Sequence, residues 1–178
     1  NYTITNQGST TANITAAPLN ATASANNKVY DGNTTATVTL TFTGLVGSET
    51  LGQTVGATFA NKNVANTKTV TVNSITLSDG SGVATNYTIS TGQTTTANIT
   101  PKALTIAGIT ASNKTYNGNT TATIDVSATT FAELEAGDVV TVSATGTFAD
   151  QNVGTNKTVT LSVTNAGADV ANYTITNQ

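Results

Sequence analysis

The chain repeats itself, and that restricts its possible folds more than any other feature. Asn1–Thr15, NYTITNQGSTTANIT, returns as NYTISTGQTTTANIT at Asn86–Thr100. NKVYDGNTTATV at Asn27–Val38 returns as NKTYNGNTTATI at Asn113–Ile124, and TFANKNVANTKTVTV at Thr58–Val72 as TFADQNVGTNKTVTL at Thr147–Leu161. The opening heptad NYTITNQ also closes the sequence at Asn172–Gln178. The spacing drifts between 85 and 89 residues, as loops of differing length between shared elements require. A repeat of about 86 residues follows, with boundaries near Ala16 and Pro101. Residues 1–15 are then expected to be the last strands of a preceding repeat or a donor segment. Residues 16–100 form a complete repeat, and 101–178 a second one lacking its final strand, as in a window on a longer array.

Within a repeat the apolar residues alternate. In Thr35–Phe42, Ala36, Val38, Leu40 and Phe42 share one face and threonines the other; Lys68–Val72 and Lys157–Val163 do the same. That period marks a half-buried strand, expected to pair antiparallel. After Val72 the apolar positions slip to Ile75 and Leu77, which predicts a bulge or turn at Asn73–Ser74. Further strands are expected at Leu19–Ala23, Leu104–Ala107 and the NYTI and TTANIT segments. YDGN at Tyr30–Asn33, YNGN at Tyr116–Asn119 and SDGSG at Ser78–Gly82 supply turns. About seven short strands per repeat predict tandem antiparallel β-sandwiches of immunoglobulin-like type. The alternative is a β-grasp-like module, because TFAELEAGD at Thr130–Asp138 has a helical composition.

Every aromatic belongs to the repeat: Tyr30 with Tyr116, Phe42 with Phe131, Phe59 with Phe148 and Tyr87 with Tyr173, while Tyr2 copies Tyr87 in the opening segment. Repeated aromatics are expected to fill two like interiors, leaving no unique platform for a sugar ring.

Composition narrows the chemistry. Threonine makes up roughly a quarter of the residues, charged residues only 8%, and the net charge is −3. There is no histidine or cysteine, hence no ordinary zinc, copper or iron site, no histidine base and no disulfide. All six cations are lysines, and nucleic acid finds no basic footprint. No apolar run is long enough to span a membrane as a helix. The lack of methionine, cysteine and tryptophan suits an oxidising exterior.

Three chemistries compete with plain structural roles. A glycosidase needs two acids flanking one bond, yet of the nine acids only Glu49 and Asp138 occupy equivalent places. Asp31 becomes Asn117, Asp125 answers to Thr39 and Asp150 to Asn61, a pattern that points away from an enzyme. Calcium has candidate donors in Asp79 and Asp169, but one acid per loop falls short of a full oxygen shell, and no other cofactor is implied. A lysine–asparagine cross-link has recurring members in Lys28 and Lys114, Lys68 and Lys157, and Asn86 and Asn172, with Glu49 or Asp138 as the accompanying acid. It would lower the intact mass by about 17 Da per bond, through loss of ammonia. Asn-X-Thr triplets abound, but a chain so rich in both residues makes them by composition.

The succession NKVYDGNTTATVTL, ATFANKNVANTKTVTV and NYTISTGQTTTANITPKALT resembles the YDG-type repeats of large secreted bacterial adhesins, of the filamentous-haemagglutinin-like or biofilm-matrix kind. The naming motif is Tyr30-Asp31-Gly32; the second repeat carries Tyr116-Asn117-Gly118, so its acid is dispensable. The resemblance covers nearly the whole chain and implies an extracellular, cell-surface location and a stalk or fibre supporting attachment or biofilm. Its partners would be neighbouring repeats or identical chains. One alternative is a module binding surface glycan or matrix through Thr129–Asp138, with Glu133 and Glu135. Another is a filament subunit assembled head to tail by donated strands.

Overall fold

A computed structural model describes all residues, 1–178, and is all-β with two short 3-10 turns. The first repeat supplies β1 (Ala17–Ala25), β2 (Lys28–Val29), β3 (Thr35–Ala36), β4 (Val38–Thr43), β5 (Leu51–Phe59), β6 (Ala65–Asp79), β7 (Tyr87–Ile89) and β8 (Thr94–Thr100). The second supplies β9 (Lys102–Ala107), β10 (Thr110–Ala111), β11 (Thr121–Ala122), β12 (Ile124–Asp125), β13 (Thr130–Ala132), β14 (Thr141–Phe148), β15 (Val159–Ala166) and β16 (Tyr173–Asn177).

The strands of the first repeat form a sheet ordered β4-β1-β7 and one ordered β2-β8-β6-β5-β3. In the second repeat β13-β9-β16 answers to β4-β1-β7, and β11-β14-β15 to β3-β5-β6. That last sheet stops at β15, where the first repeat continues with β8 and β2. The short pair β10-β12 completes the second repeat.

Several details depart from the sequence expectation. The sheets are mixed: β1 with β4 and β14 with β15 pair antiparallel, but β1 with β7, β9 with β16 and β2 with β8 pair parallel. Alternation reports which face a residue takes and is silent on strand direction. The alternating run Thr35–Phe42 is also two strands, broken at Thr37, with β3 in one sheet and β4 in the other. The helix on which a β-grasp depends is absent: Thr130–Ala132 is strand β13, and the Glu- and Gly-containing segment after it is turn and coil. At Asn73–Ser74 no turn interrupts β6, but the slip of the apolar pattern read from the sequence is present. Two successive exposed residues there move the buried face from Val70 and Val72 to Ile75 and Leu77.

In its packing the chain divides into two compact units that differ from the two repeats. The first unit holds residues 1–25, 36–58 and 70–95, with Leu19, Leu40, Ala57, Val70, Val72 and Tyr87 buried. The second holds the whole second repeat together with residues 26–35, 59–69 and 96–100 of the first. Its buried apolar groups include Tyr30, Phe59, Ile99, Leu104, Ile106 and Tyr173.

Candidate functional site: a polar joint inside the second unit

The YDG motif makes a turn. Gly32 and Gly118 take φ of 73° and 74°, which favours glycine at both. In the first repeat Lys28 Nζ donates to Asp31 Oδ1 (2.6 Å) and to the Asn33 carbonyl (2.9 Å), while Asp31 Oδ1 accepts from the Asn33 amide. In the second, Lys114 Nζ donates to the Asn119 carbonyl (2.8 Å), and Asn117 Oδ1 accepts from the Asn119 amide (3.3 Å). The turn needs an acceptor oxygen at this position, which aspartate and asparagine both provide. Burial opposes the charge of Asp31, but Lys28 and the turn amide hold its carboxyl below the usual range.

Tyr30 leads from that turn into the joint. It is 1% exposed, and its hydroxyl donates to Asp138 Oδ2 at 2.7 Å. The Tyr173 hydroxyl donates to the same oxygen at 2.7 Å, the two rings meeting edge to face with centroids 5.5 Å apart. Lys62 Nζ donates to Asp138 Oδ1 at 2.6 Å and lies 3.2 Å from Asp169 Oδ1 and 5.8 Å from the centre of the Tyr30 ring. The Asp138 side chain is 2% exposed and receives three hydrogen bonds, two of them from residues of the first repeat. Asn172 adds a second tie: it is buried, and its Oδ1 accepts from the Val64 amide at 3.0 Å. Lys102 Nζ holds Glu135 Oε1 at 2.7 Å, and the Glu135 amide donates to the Tyr173 hydroxyl at 3.0 Å.

The electrostatics fix these groups in their charge states. Burial raises the cost of charging Asp138, yet Lys62 and both tyrosine hydroxyls outweigh it and hold the carboxyl low. Burial, with Asp138 beside them, pushes the hydroxyls of Tyr30 and Tyr173 up. The hydrogen bond to Asp138 pushes Lys62 up as well, so it stays an ammonium ion and offers no nucleophilic amine. The arrangement joins residues of one repeat to those of the next.

The first unit carries the same tyrosine–acid pair alone. Tyr87 donates its hydroxyl to Glu49 and accepts from the Val46 amide at 3.1 Å. The shared acid position of Glu49 and Asp138 therefore serves a tyrosine in each repeat, a partnership the spacing did not reveal.

The remaining sequence candidates occupy separate places. Phe59 and Tyr87 are buried, whereas Phe42, Phe131 and Phe148 are half-buried. Tyr116 departs from the expectation of like interiors: it is 60% exposed, against 1% for Tyr30, since nothing stands to it as Asp138 and Tyr173 stand to Tyr30. Asp79 Oδ1 caps the Ala84 amide at 2.7 Å, and Asp169 Oδ2 accepts from the Val139 amide at 3.0 Å while its other oxygen faces Lys62. Each acid serves a turn, and no three carboxylates gather in one place. Of the cross-link lysines, Lys28 and Lys114 bind their turns, Lys68 donates to Asn61 Oδ1 at 2.6 Å, and Lys157 pairs with Asp150. Glu135 of the expected glycan loop is engaged by Lys102, while Glu133 is mostly exposed. Lys62 carries no signal in the repeat pattern, because position 62 changes to Gln151.

No curated protein and no solved structure matches the chain. The YDG domain family model matches twice, over residues 10–97 and 100–178. With nearly the whole length covered by two successive matches, the chain belongs to the YDG domain family and carries two copies of that domain in tandem.

Proposed function

We propose that this chain is a stretch of stalk in a secreted bacterial adhesin or matrix filament. It would act outside the cell as a spacer between an anchor and a binding region, with no catalytic role. The observation that carries the reading is the Asp138 joint. The Asp138 carboxylate is 2% exposed, and two of its three hydrogen bonds come from residues of the preceding repeat. Repeat arrays gain reach by adding modules, and a nearest-neighbour tie of this kind makes such an array cooperative. The cysteine-free, methionine-free composition suits the exterior.

Two measurements test this. An antibody against the chain should label intact cells of the source organism without permeabilisation; signal restricted to opened cells defeats the extracellular placement. A glycan array probed with the purified chain should show no saturable binding, and a clear saturating signal would replace the spacer with a recognition module.

A further inference from the structure

We propose that Asn117 is a site of spontaneous deamidation, at which the Tyr-Asn-Gly turn of the second repeat is converted to the Tyr-Asp-Gly form that the first repeat encodes.

The reaction needs an asparagine whose following backbone nitrogen can reach its own side-chain carbon. Of the chain's asparagines, Asn117 alone precedes a glycine. A Cβ on the following residue crowds the approach to Cγ, and glycine has none. Gly118 takes φ of 74° in an exposed turn outside any strand, and its amide donates no hydrogen bond that would have to break first. The Asn117 side chain is held through Oδ1 alone, by the Asn119 amide at 3.3 Å, so the departing Nδ2 group has no protein partner. That donor also draws charge from the carbonyl, which makes Cγ a better electrophile. Other turn asparagines are held more fully. Asn33 and Asn61 each accept from a lysine and from a turn amide, and they precede Thr34 and Lys62.

A packed neighbour leaves this position open. Asp31 occupies the equivalent turn with the second repeat beside it: Glu135 Cβ lies 3.6 Å from where a Cβ on Gly32 would stand. The Asp31 side chain is nevertheless 44% exposed. A repeat set against Asn117 in the same way would leave water the same access.

The chemistry consumes only water. The Gly118 nitrogen gives its proton to solvent and bonds to Asn117 Cγ; the Cγ–Nδ2 bond breaks, and Nδ2 takes a proton from solvent and leaves as ammonia. One water molecule then opens the five-membered imide. Addition at Cγ yields aspartate, and addition at the backbone carbonyl yields isoaspartate, whose main chain runs through Cβ. No electron is transferred.

The fold has a place ready for the aspartate. Lys28 Nζ binds Asp31 Oδ1 at 2.6 Å, the Asn33 carbonyl at 2.9 Å and Asn33 Oδ1 at 3.1 Å. Lys114 Nζ repeats the last two on Asn119, at 2.8 and 2.9 Å, and directs its remaining bond to the Thr121 carbonyl at 3.1 Å. A carboxylate at position 117 draws that bond to itself. Once paired it resists re-closure, because a carboxylate is a poor electrophile. The turn needs only an acceptor oxygen, so it accommodates the change, and the chain gains one negative charge.

Holding the whole chain in warm, mildly alkaline buffer and mapping its peptides by mass tests the proposal. Position 117 should gain about 1 Da, the mass difference between an amide and an acid. Because its successor alone lacks a Cβ, it should convert roughly tenfold faster or more than any other asparagine of the folded chain. An acid-shifted form should appear on isoelectric focusing in step with that peptide, at the position of Asn117→Asp, and Asn117→Gln should not give it. In Asn117→Asp the new carboxyl should titrate below the ordinary aspartate range, as Asp31 does, and the Lys114 ammonium signal should move. Earlier conversion of another asparagine overturns the proposal. So does an Asn117 that stays intact after the free peptide TYNGN has reacted, since the turn then protects it. An ordinary titration at position 117 with Lys114 unmoved, or isoaspartate as the sole product, overturns the claim that the second repeat acquires the first repeat's turn. Saturable glycan binding would defeat the stalk reading and leave these results unmoved.

Discussion

Asp31 and Asn117 differ in charge and do the same work, which places the chemistry of the YDG motif in its acceptor oxygen and its left-handed glycine. Tyr30 and Tyr116 differ the other way: one residue type in two environments. Tyr30→Phe removes a donor from a buried carboxylate and should cost about 1.5–3 kcal/mol, while Tyr116→Phe, with its hydroxyl outside any such cluster, should be neutral within about 0.5 kcal/mol. Urea unfolding compares the two. Asp138→Asn should cost about 3 kcal/mol, because an amide cannot accept from three donors and leaves Lys62 without its counter-ion. The sign of its pH dependence follows from the lowered folded-state value of Asp138. The carboxylate's contribution is complete above the unfolded value of about 3.9, and is lost as pH falls through the lower folded value. Thermal unfolding should therefore show wild type and Asp138→Asn converging in acid and separating near neutrality. A constant gap across that range would mean that Asp138 acts through shape alone. The sequence marked Asp138 as a shared acid and Tyr30 and Tyr173 as shared aromatics. It left their meeting hidden, because repeat spacing aligns equivalent residues and says nothing of inequivalent ones that touch.

At the level of elements, identical sequences take different states. TTANIT is strand β8 at Thr95–Thr100 and is unpaired at Thr10–Thr15; NYTITN is unpaired at the start of the chain, and its copy from Tyr173 to Asn177 is strand β16. Strand propensity supplies a preference, and a neighbouring edge supplies the structure. That is why alternation located most strands correctly while the parallel pairings and the change of sheet at Thr37 were out of reach. The same contrast grades the cores. Phe59→Ala, in a sheet completed by β8, should cost about 3–5 kcal/mol, whereas Phe148→Ala, already partly in water, should cost no more than about half that. Denaturant midpoints measure both. Equal losses at the two positions would mean that the difference in exposure does not grade the packing of the two rings.

Over the whole molecule, the repeat of sequence and the unit of packing are out of phase. The second compact unit takes Asn26–Thr35, Phe59–Thr69 and Thr96–Thr100 from the first repeat, among them Tyr30, Lys62, Val64 and Ile99. Cutting between Thr100 and Pro101 would follow the sequence and divide that unit. The fragment 101–178 would keep β9–β16 but lose both donors that the first repeat sends to Asp138, and the Val64 amide that satisfies Asn172. Asp138 would then retain Tyr173 as its one hydrogen-bond donor, and the face of Tyr173 now packed on Tyr30 would meet water. In a nearest-neighbour array the interface term is shared by the modules on either side, so its loss lowers the stability of each. The expected result is a fragment 101–178 that melts several degrees below the same strands in the whole chain, a shift of the size that ~1–3 kcal/mol produces in a domain near this length. Amide exchange in β14 and β15 reads the difference directly, since both strands are present in either form. Asp138→Asn in the whole chain should move those amides part of the way toward their exchange in the fragment. Equal exchange in fragment and whole chain would mean that the joint holds position without sharing stability, and the array would then unfold one repeat at a time.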